Sequence, residues 1–309
     1  MKTFVVTGAS GYIGSHMCYE LRQSYPDCQV IGIDKVYKKK LSHLYDDFFT
    51  MDLSKTSFNV FERHKPDCIF HFAARSLVPE GEKNPYHYYY NNVLSLVRIL
   101  DEAIYVGIKN FIFSSTCAVY GPVKKPVTEM MPVNPKSAYA KSKAMCEEIL
   151  QAAEREHGIR TGILRYFNAA GRNVEAGLYE EHDPETHLIP NIMRDFMIQV
   201  YGKDFDTPDG TAIRDYIHVV DICRSHIKAY EYMEQNDRGI LCNIGTGKGY
   251  SVLQVVDAVR KVTGMNVDIE FEERRPGDVD CLVSDINRMK NILTFNTEYD
   301  IISIIESMK

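Results

Sequence analysis

No two of the eight cysteines are spaced C-x-x-C, and none of the ten histidines falls in an H-E-x-x-H pattern. The first absence argues against a disulfide framework and a structural zinc. The second leaves a hydrolytic metal site without support, so no metal is expected. Several cysteines sit inside apolar runs, where a thiol packs as a small core side chain, and a reducing cytoplasm is the expected location. No stretch of about 18 apolar residues suggests a membrane span. The first residues read as a short apolar run entering glycines, without a signal-peptide cleavage region. A net charge of −6 has the wrong sign for a general nucleic-acid binder. The one conspicuous basic cluster, Lys38-Lys39-Lys40, reads as a solvated loop.

What is present is ordinary for a soluble globular chain: 45% apolar and 25% charged residues over 309 positions, enough for one large domain or two intimate ones. Phe4-Val5-Val6, Val30-Ile31-Gly32-Ile33, Cys68-Ile69-Phe70, Phe111-Ile112-Phe113 and Ile163-Leu164 read as buried parallel strands. Amphipathic stretches near 12–24, 54–64, 91–106 and 137–157 supply crossover helices. This alternation predicts an α/β fold, a Rossmann-type doubly wound parallel sheet over 1–168. Beyond Asn168 the rhythm weakens. A polar loop is expected over 171–187, helices near 189–199, 219–235, 251–263 and 299–308, a strand near 267–271, and an irregular stretch over 203–215. Residues 169–309 are expected to form a smaller C-terminal α/β substrate lobe, with parts of 219–263 returning to the first domain.

Two motifs carry chemistry. The turn Thr7-Gly8-Ala9-Ser10-Gly11-Tyr12-Ile13-Gly14 follows a strand and opens a helix. Gly8, Gly11 and Gly14 let backbone approach a pyrophosphate, and the helix N-terminus favours its charge. Asp34 ends the second strand 20 residues later, placed to bind the adenosine ribose hydroxyls and to repel a 2′-phosphate. NAD is therefore the expected cofactor. Asp52-Leu53 flanks the adenine or, for Asp52, caps a helix; Phe72-Ala73-Ala74 gives a dinucleotide room or packs tightly. The second motif is Tyr139-x-x-x-Lys143. On a helix these side chains share a face, and an ammonium near the phenol draws its pKa from about 10 toward working pH. Tyr139 is then a general base for an alcohol whose carbon gives up hydride.

These segments, with His71-Phe72-Ala73-Ala74, Tyr166-Phe167-Asn168, Arg214-Asp215-Tyr216-Ile217-His218, Asn243-Ile244-Gly245-Thr246-Gly247 and Arg274-Arg275-Pro276-Gly277-Asp278, resemble the extended short-chain dehydrogenase/reductase family nearly end to end. The likeness is greatest to its sugar-nucleotide 4-epimerase branch. It implies a tightly held NAD, a UDP-hexose substrate and a homodimer formed through the helices near 91–106 and 137–157. Tyr12, Ile13, Asn92, Ser114 and Tyr166 join the residues above as implied cofactor contacts. Thr116, Tyr139 and Lys143 are the implied catalytic set. Asn168, His187, Tyr201, Arg214, Arg275, Asp278 and Leu282 are implied substrate contacts, Leu282 beside the hexose 2-substituent.

Thr116-Cys117-Ala118 selects within the family. Related 4,6-dehydratases carry Asp and Glu at the last two positions, decarboxylases carry Glu at the Ala118 position, and 3,5-epimerases carry their cysteine there. Ala118 cannot exchange a proton, and Cys117 reads as core. What remains is oxidation and re-reduction at one carbon; the resemblance implies that this carbon is C4 and that the reaction interconverts UDP-glucose and UDP-galactose, with weaker turnover of the N-acetyl pair. Two alternatives stay open: a UDP-glucuronate 4-epimerase, using Arg75 (beside Ser76, where relatives have lysine) or Arg172 for the carboxylate, and a non-catalytic sensor of NAD or nucleotide sugar.

Overall fold

Buried β-branched and aromatic runs become strands, and the stretches between them become helices. A computed structural model describes every residue except 56–58, 124–125, 181–184 and 276. In chain order, the first elements are β1 Thr3–Thr7, α1 Tyr12–Ser24, β2 Gln29–Asp34, β3 Asp47–Thr50, α2 Val60–His64, β4 Cys68–His71, α3 Val78–Lys83, α4 Pro85–Tyr88, α5 Leu94–Val106, β5 Asn110–Thr116, α6 Ala138–His157 and β6 Arg160–Tyr166. Then follow β7 Asn168–Ala170, α7 Leu188–Asp195, β8 Met197–Tyr201, β9 Ile213–His218, α8 Val219–Asn236, β10 Ile240–Ile244, β11 Gly249–Ser251, α9 Val252–Thr263, β12 Asp268–Glu272, β13 Cys281–Leu282, α10 Asn287–Asn291 and α11 Ile301–Ser307.

Seven strands form one sheet in the order β10-β6-β5-β4-β1-β2-β3. The pairings β3·β2, β2·β1, β1·β4 and β4·β5 are parallel. The order reverses between β1 and β4, the switch point at which doubly wound sheets bind ligands. One face is covered by a core that includes Val5, Ile31, Ile69, Leu96, Ile99, Phe111 and Leu150, all buried. On the other, Phe4 meets the rings of Tyr25 and Tyr230, each at 5.3 Å between centroids. The chain divides into two compact units: residues Met1–Val119, Pro135–Arg165 and Cys223–Cys242 in the first, Tyr120–Asn134, Tyr166–Ile222 and Asn243–Lys309 in the second. The division is thus not one cut, because Tyr230 on α8 packs on Phe4 and Phe70.

The second unit contains a four-stranded sheet, β11-β9-β13 with β7 on β9, and a separate β8·β12 pair. Its core includes Ile189, Ile192, Tyr216, Val255, Val259, Ile301 and Ile304. Three expectations change. The helix expected over 189–199 stops at Asp195, where Phe196 turns left-handed (φ 49°) and Met197–Tyr201 pairs as a strand with Asp268–Glu272. The irregular stretch expected to run to 215 becomes strand at Ile213, because β9 is bonded on both sides. The helix expected over 54–64 covers only Val60–His64, residues 56–58 lying outside the described residues. All eight cysteines are free thiols, seven of them buried. No described helix is long and apolar enough to cross a membrane.

Candidate active site

The glycine turn leaves β1 with its backbone tied to the end of β2, Gly8 N donating to Ile33 O at 2.8 Å. Gly8 takes the left-handed conformation (φ 69°), which only glycine adopts without strain, and α1 returns so closely that a Cβ on Gly14 would lie 2.0 Å from Gly8 O. Gly11 starts α1 without a side-chain cap, and no acidic residue lies in the first turn. The helix N-terminus is therefore presented as backbone N–H groups, a cradle suited to a pyrophosphate. Asp34 closes it: its carboxylate accepts from Ser10 N at 3.0 Å. These residues fit a dinucleotide.

The flanking positions differ in character. Asp52 accepts from Ser54 N at 3.0 Å and Ser54 Oγ at 2.6 Å, a local turn. Partial burial opposes its charge, but the Ser54 bonds and Lys35 outweigh that and hold its carboxyl below the usual range. Leu53 is a core side chain. Beyond β4, Phe72 N and Ala73 N donate to the Thr7 carbonyl and hydroxyl, which draws the 72–74 backbone against the glycine turn. His71, fully buried with Nδ1 2.8 Å from Thr7 Oγ1, is held neutral; burial, then the nearby Lys143, pull its pKa down to about 3. A π-helical turn at Tyr89–Val93 swings Asn92 inward, where it accepts from Arg75 N at 2.8 Å and donates to Ser142 Oγ at 2.9 Å. Tyr88, the last residue of α4 before that turn, is buried core.

The catalytic candidates meet where β5 ends and α6 begins. Ser137 caps α6, its hydroxyl accepting from Ala140 N. That fixes Tyr139 in the first turn and Lys143 one turn later. Lys143 is buried and its Nζ donates to Ser114 O at 2.6 Å, 4.6 Å from the Phe113 ring and 6.0 Å from the Tyr139 ring centre. Burial pulls the ammonium down to about 8, with Cys146 and Glu147 opposing. Thr116 is the last residue of β5, buried, its hydroxyl accepting from Ala118 N at 3.2 Å. Cys117 is buried too. Tyr166 ends β6.

In the second unit, Arg275, Asp278 and Tyr201 come together. The Arg275 guanidinium lies 4.7 Å from the Tyr201 ring centre, and its Nε donates to Asp278 Oδ2 at 3.0 Å. Pro276 lies outside the described residues. Arg214 and Leu282 are register partners on β9 and β13; Arg214 Nη1 donates to the Ile213 and Val279 carbonyls, each at 2.8 Å, and Leu282 is buried. Asn168 starts β7, exposed. His187 precedes α7, exposed, its Nδ1 against the Glu180 carboxylate. The reading of the sequence missed Asp215 in this unit. Buried on β9, it accepts from Thr246, Gly247 and Ser284, joining the turn after β10 and the residues after β13 to β9. Burial pushes its carboxyl up, against those bonds. Its place in Arg214-Asp215 was the available signal.

The model of the NAD dependent epimerase/dehydratase family matches residues 4–245. The chain belongs to that family. It is 38% identical over 310 residues to a UDP-glucose 4-epimerase of Lactobacillus helveticus, covering 97% of this chain and 93% of that one. Among solved structures of the epimerase family, it is similar to UDP-glucose 4-epimerase from Brucella ovis in complex with NAD (TM-score 0.93, 35% identity, 99% of this chain and 97% of that one). It is also similar to the UDP-Glc/GlcNAc 4-epimerase of Campylobacter jejuni (TM-score 0.84, 34% identity, 99% and 98%).

Proposed function

We propose that this chain interconverts UDP-glucose and UDP-galactose by reversible oxidation at C4, with NAD bound throughout the cycle. The observation that carries the reading is the α6 face holding Tyr139 and Lys143 at the end of β5, with Thr116 present and no carboxylate at Cys117 or Ala118. Gly8, Gly11, Tyr12, Ile13 and Gly14 would hold the pyrophosphate, Asp34 the adenosine ribose, and Asp52, Leu53, Phe72, Ala73, Ala74, Asn92, Ser114 and Tyr166 the remaining surface. Bound NAD supplies the acceptor, and afterwards the donor, for the hydrogen on C4.

The chain's own residues move the proton. Thr116 holds the C4 hydroxyl, and Tyr139 takes its proton as phenolate and later returns one. Lys143, still mostly protonated at neutral pH, favours that phenolate and holds the nicotinamide ribose. Because the sugar must turn over between the two transfers, binding energy has to reside in the nucleotide, which does not turn. Arg214 and Arg275 would supply forked donors to the diphosphate, with Asn168 and His187 beside it; Asp278 would hold the uridine ribose and Tyr201 the uracil. Leu282 would border the hexose 2-substituent and leave room for weaker N-acetylhexosamine turnover.

The cations that a glucuronate would need are engaged elsewhere. Arg75 pairs with Glu80, and Arg172 donates to the carbonyls of Ser307 and Lys309. We further propose a cytoplasmic homodimer through α5 and α6, which carry the exposed Tyr105 and Met145. Turnover of UDP-glucose and UDP-galactose by purified protein without added cofactor, with none of UDP-glucuronate, tests the reading. A requirement for added NADP would overturn it.

A further inference from the structure

One turn beyond Lys143 on α6, Glu147 is 3% exposed. A carboxylate is almost never so buried unless it is paired. Arg165 on β6, 4% exposed, meets it with both prongs of its fork: Nε to Oε1 at 2.9 Å and Nη2 to Oε2 at 2.5 Å. Ser115 on β5 donates its hydroxyl to the same carboxylate. One side chain of α6 is thereby bound to two neighbouring strands. Ser115 adjoins Ser114, whose carbonyl receives the Lys143 ammonium. A buried ion pair gains little over well-packed apolar residues, so stability alone does not account for it.

We propose that the Glu147–Arg165 pair is a positioning device for Lys143: it fixes the α6 face that carries Tyr139 and Lys143 against β5, and its carboxylate keeps the buried ammonium charged. The rate arm of the test rests on the proton step proposed above. The surroundings leave this duty to Glu147. On α6 itself, Cys146 is neutral, its thiol pushed up to about 12 by burial, and Tyr139 is the group to be activated. From β4 comes His71, held neutral; from β5, the Phe113 ring and the Ser114 carbonyl. The π-helical turn offers the amide of Asn92, and α3 offers Glu82, whose carboxylate accepts from Ala138 N. Burial drives the ammonium toward losing its proton; with the Cys146 thiol neutral, the Glu147 carboxylate is the group left to oppose that loss.

The test is a carbon-13 NMR titration of holoenzyme labelled at lysine Cε, with the Lys143 signal identified from Lys143→Arg. In Glu147→Gln the local charge rises by one, so Lys143 should release its proton about one pH unit lower than in wild type. The double variant Glu147→Gln, Arg165→Gln leaves neither member of the pair as an unpaired buried charge and should show a smaller shift in the same direction. The alkaline limb of UDP-galactose turnover should follow the lysine midpoint. Variants that melt lower yet titrate as wild type would overturn the inference and make the pair merely structural. A lysine midpoint that moves beside an unmoved rate profile would uphold it and refute instead the proton step assigned to Tyr139.

Discussion

Gly14→Ala probes the cofactor turn where it is tightest. The added Cβ would stand 2.0 Å from Gly8 O and 2.7 Å from Gly8 C, whereas ordinary contact begins at 3.4 Å. Both partners are backbone, so no flexible side chain can yield, and α1 must withdraw from the turn by about 1.4 Å. Overpacking of that kind costs about 1–3 kcal/mol of stability. Displacement of the N–H groups by more than 1 Å should lower NAD affinity roughly 100-fold, the scale on which misplaced groups lose their effect. Gly107→Ala is the control. It lies at the end of α5 with φ 82° and no atom within 4 Å of a new Cβ, so it should cost about 1–2 kcal/mol in backbone strain and leave NAD binding intact. The assay is NAD released per mole of purified protein, with thermal unfolding measured in parallel. A Gly14→Ala protein that retains wild-type NAD content and stability would refute the close-packed turn.

Tyr139→Phe should fold and retain NAD yet lose activity by about 10²–10⁴-fold, as expected when a positioned acid/base is removed; steady-state turnover within threefold of wild type would refute the assignment. His71 predicts a pH dependence of stability. Its folded pKa lies near 3 against 6.5 for the free group, so the unfolded chain binds a proton that the folded chain refuses. Stability should therefore fall by about 2 kcal/mol between pH 6.5 and 5, and urea unfolding of His71→Gln should lack that component. Leu282→Tyr should lower kcat/KM for UDP-N-acetylglucosamine more than for UDP-galactose by roughly 10- to 200-fold, the scale of one tight contact. Equal losses would reduce Leu282 to packing.

The dinucleotide half was legible because each signal was local. A strand, a glycine turn and a helix follow one another within 24 residues, and Tyr139 and Lys143 are one helical turn apart. The departures arise from partners distant in sequence. Met197–Tyr201 continues the apolar run of α7, and only the left-handed Phe196 and pairing with β12 make it a strand. β9 takes its register from Tyr250 and Leu282, on opposite sides, which the polar sequence before Ile213 does not announce. Glu147 and Arg165 could each pass for surface charges until α6 and β6 were brought together. The assignment of Cys223–Cys242 to the first unit likewise depends on where Tyr230 packs.

In the proposed reaction one hydrogen leaves C4 and returns to C4 within a single active site. UDP-galactose deuterated at C4, turned over in ordinary water without added cofactor, measures this directly. The expected product is UDP-glucose that retains deuterium at C4 and acquires no solvent hydrogen at C3 or C5. Loss of the C4 label, or solvent exchange at C5, would contradict it.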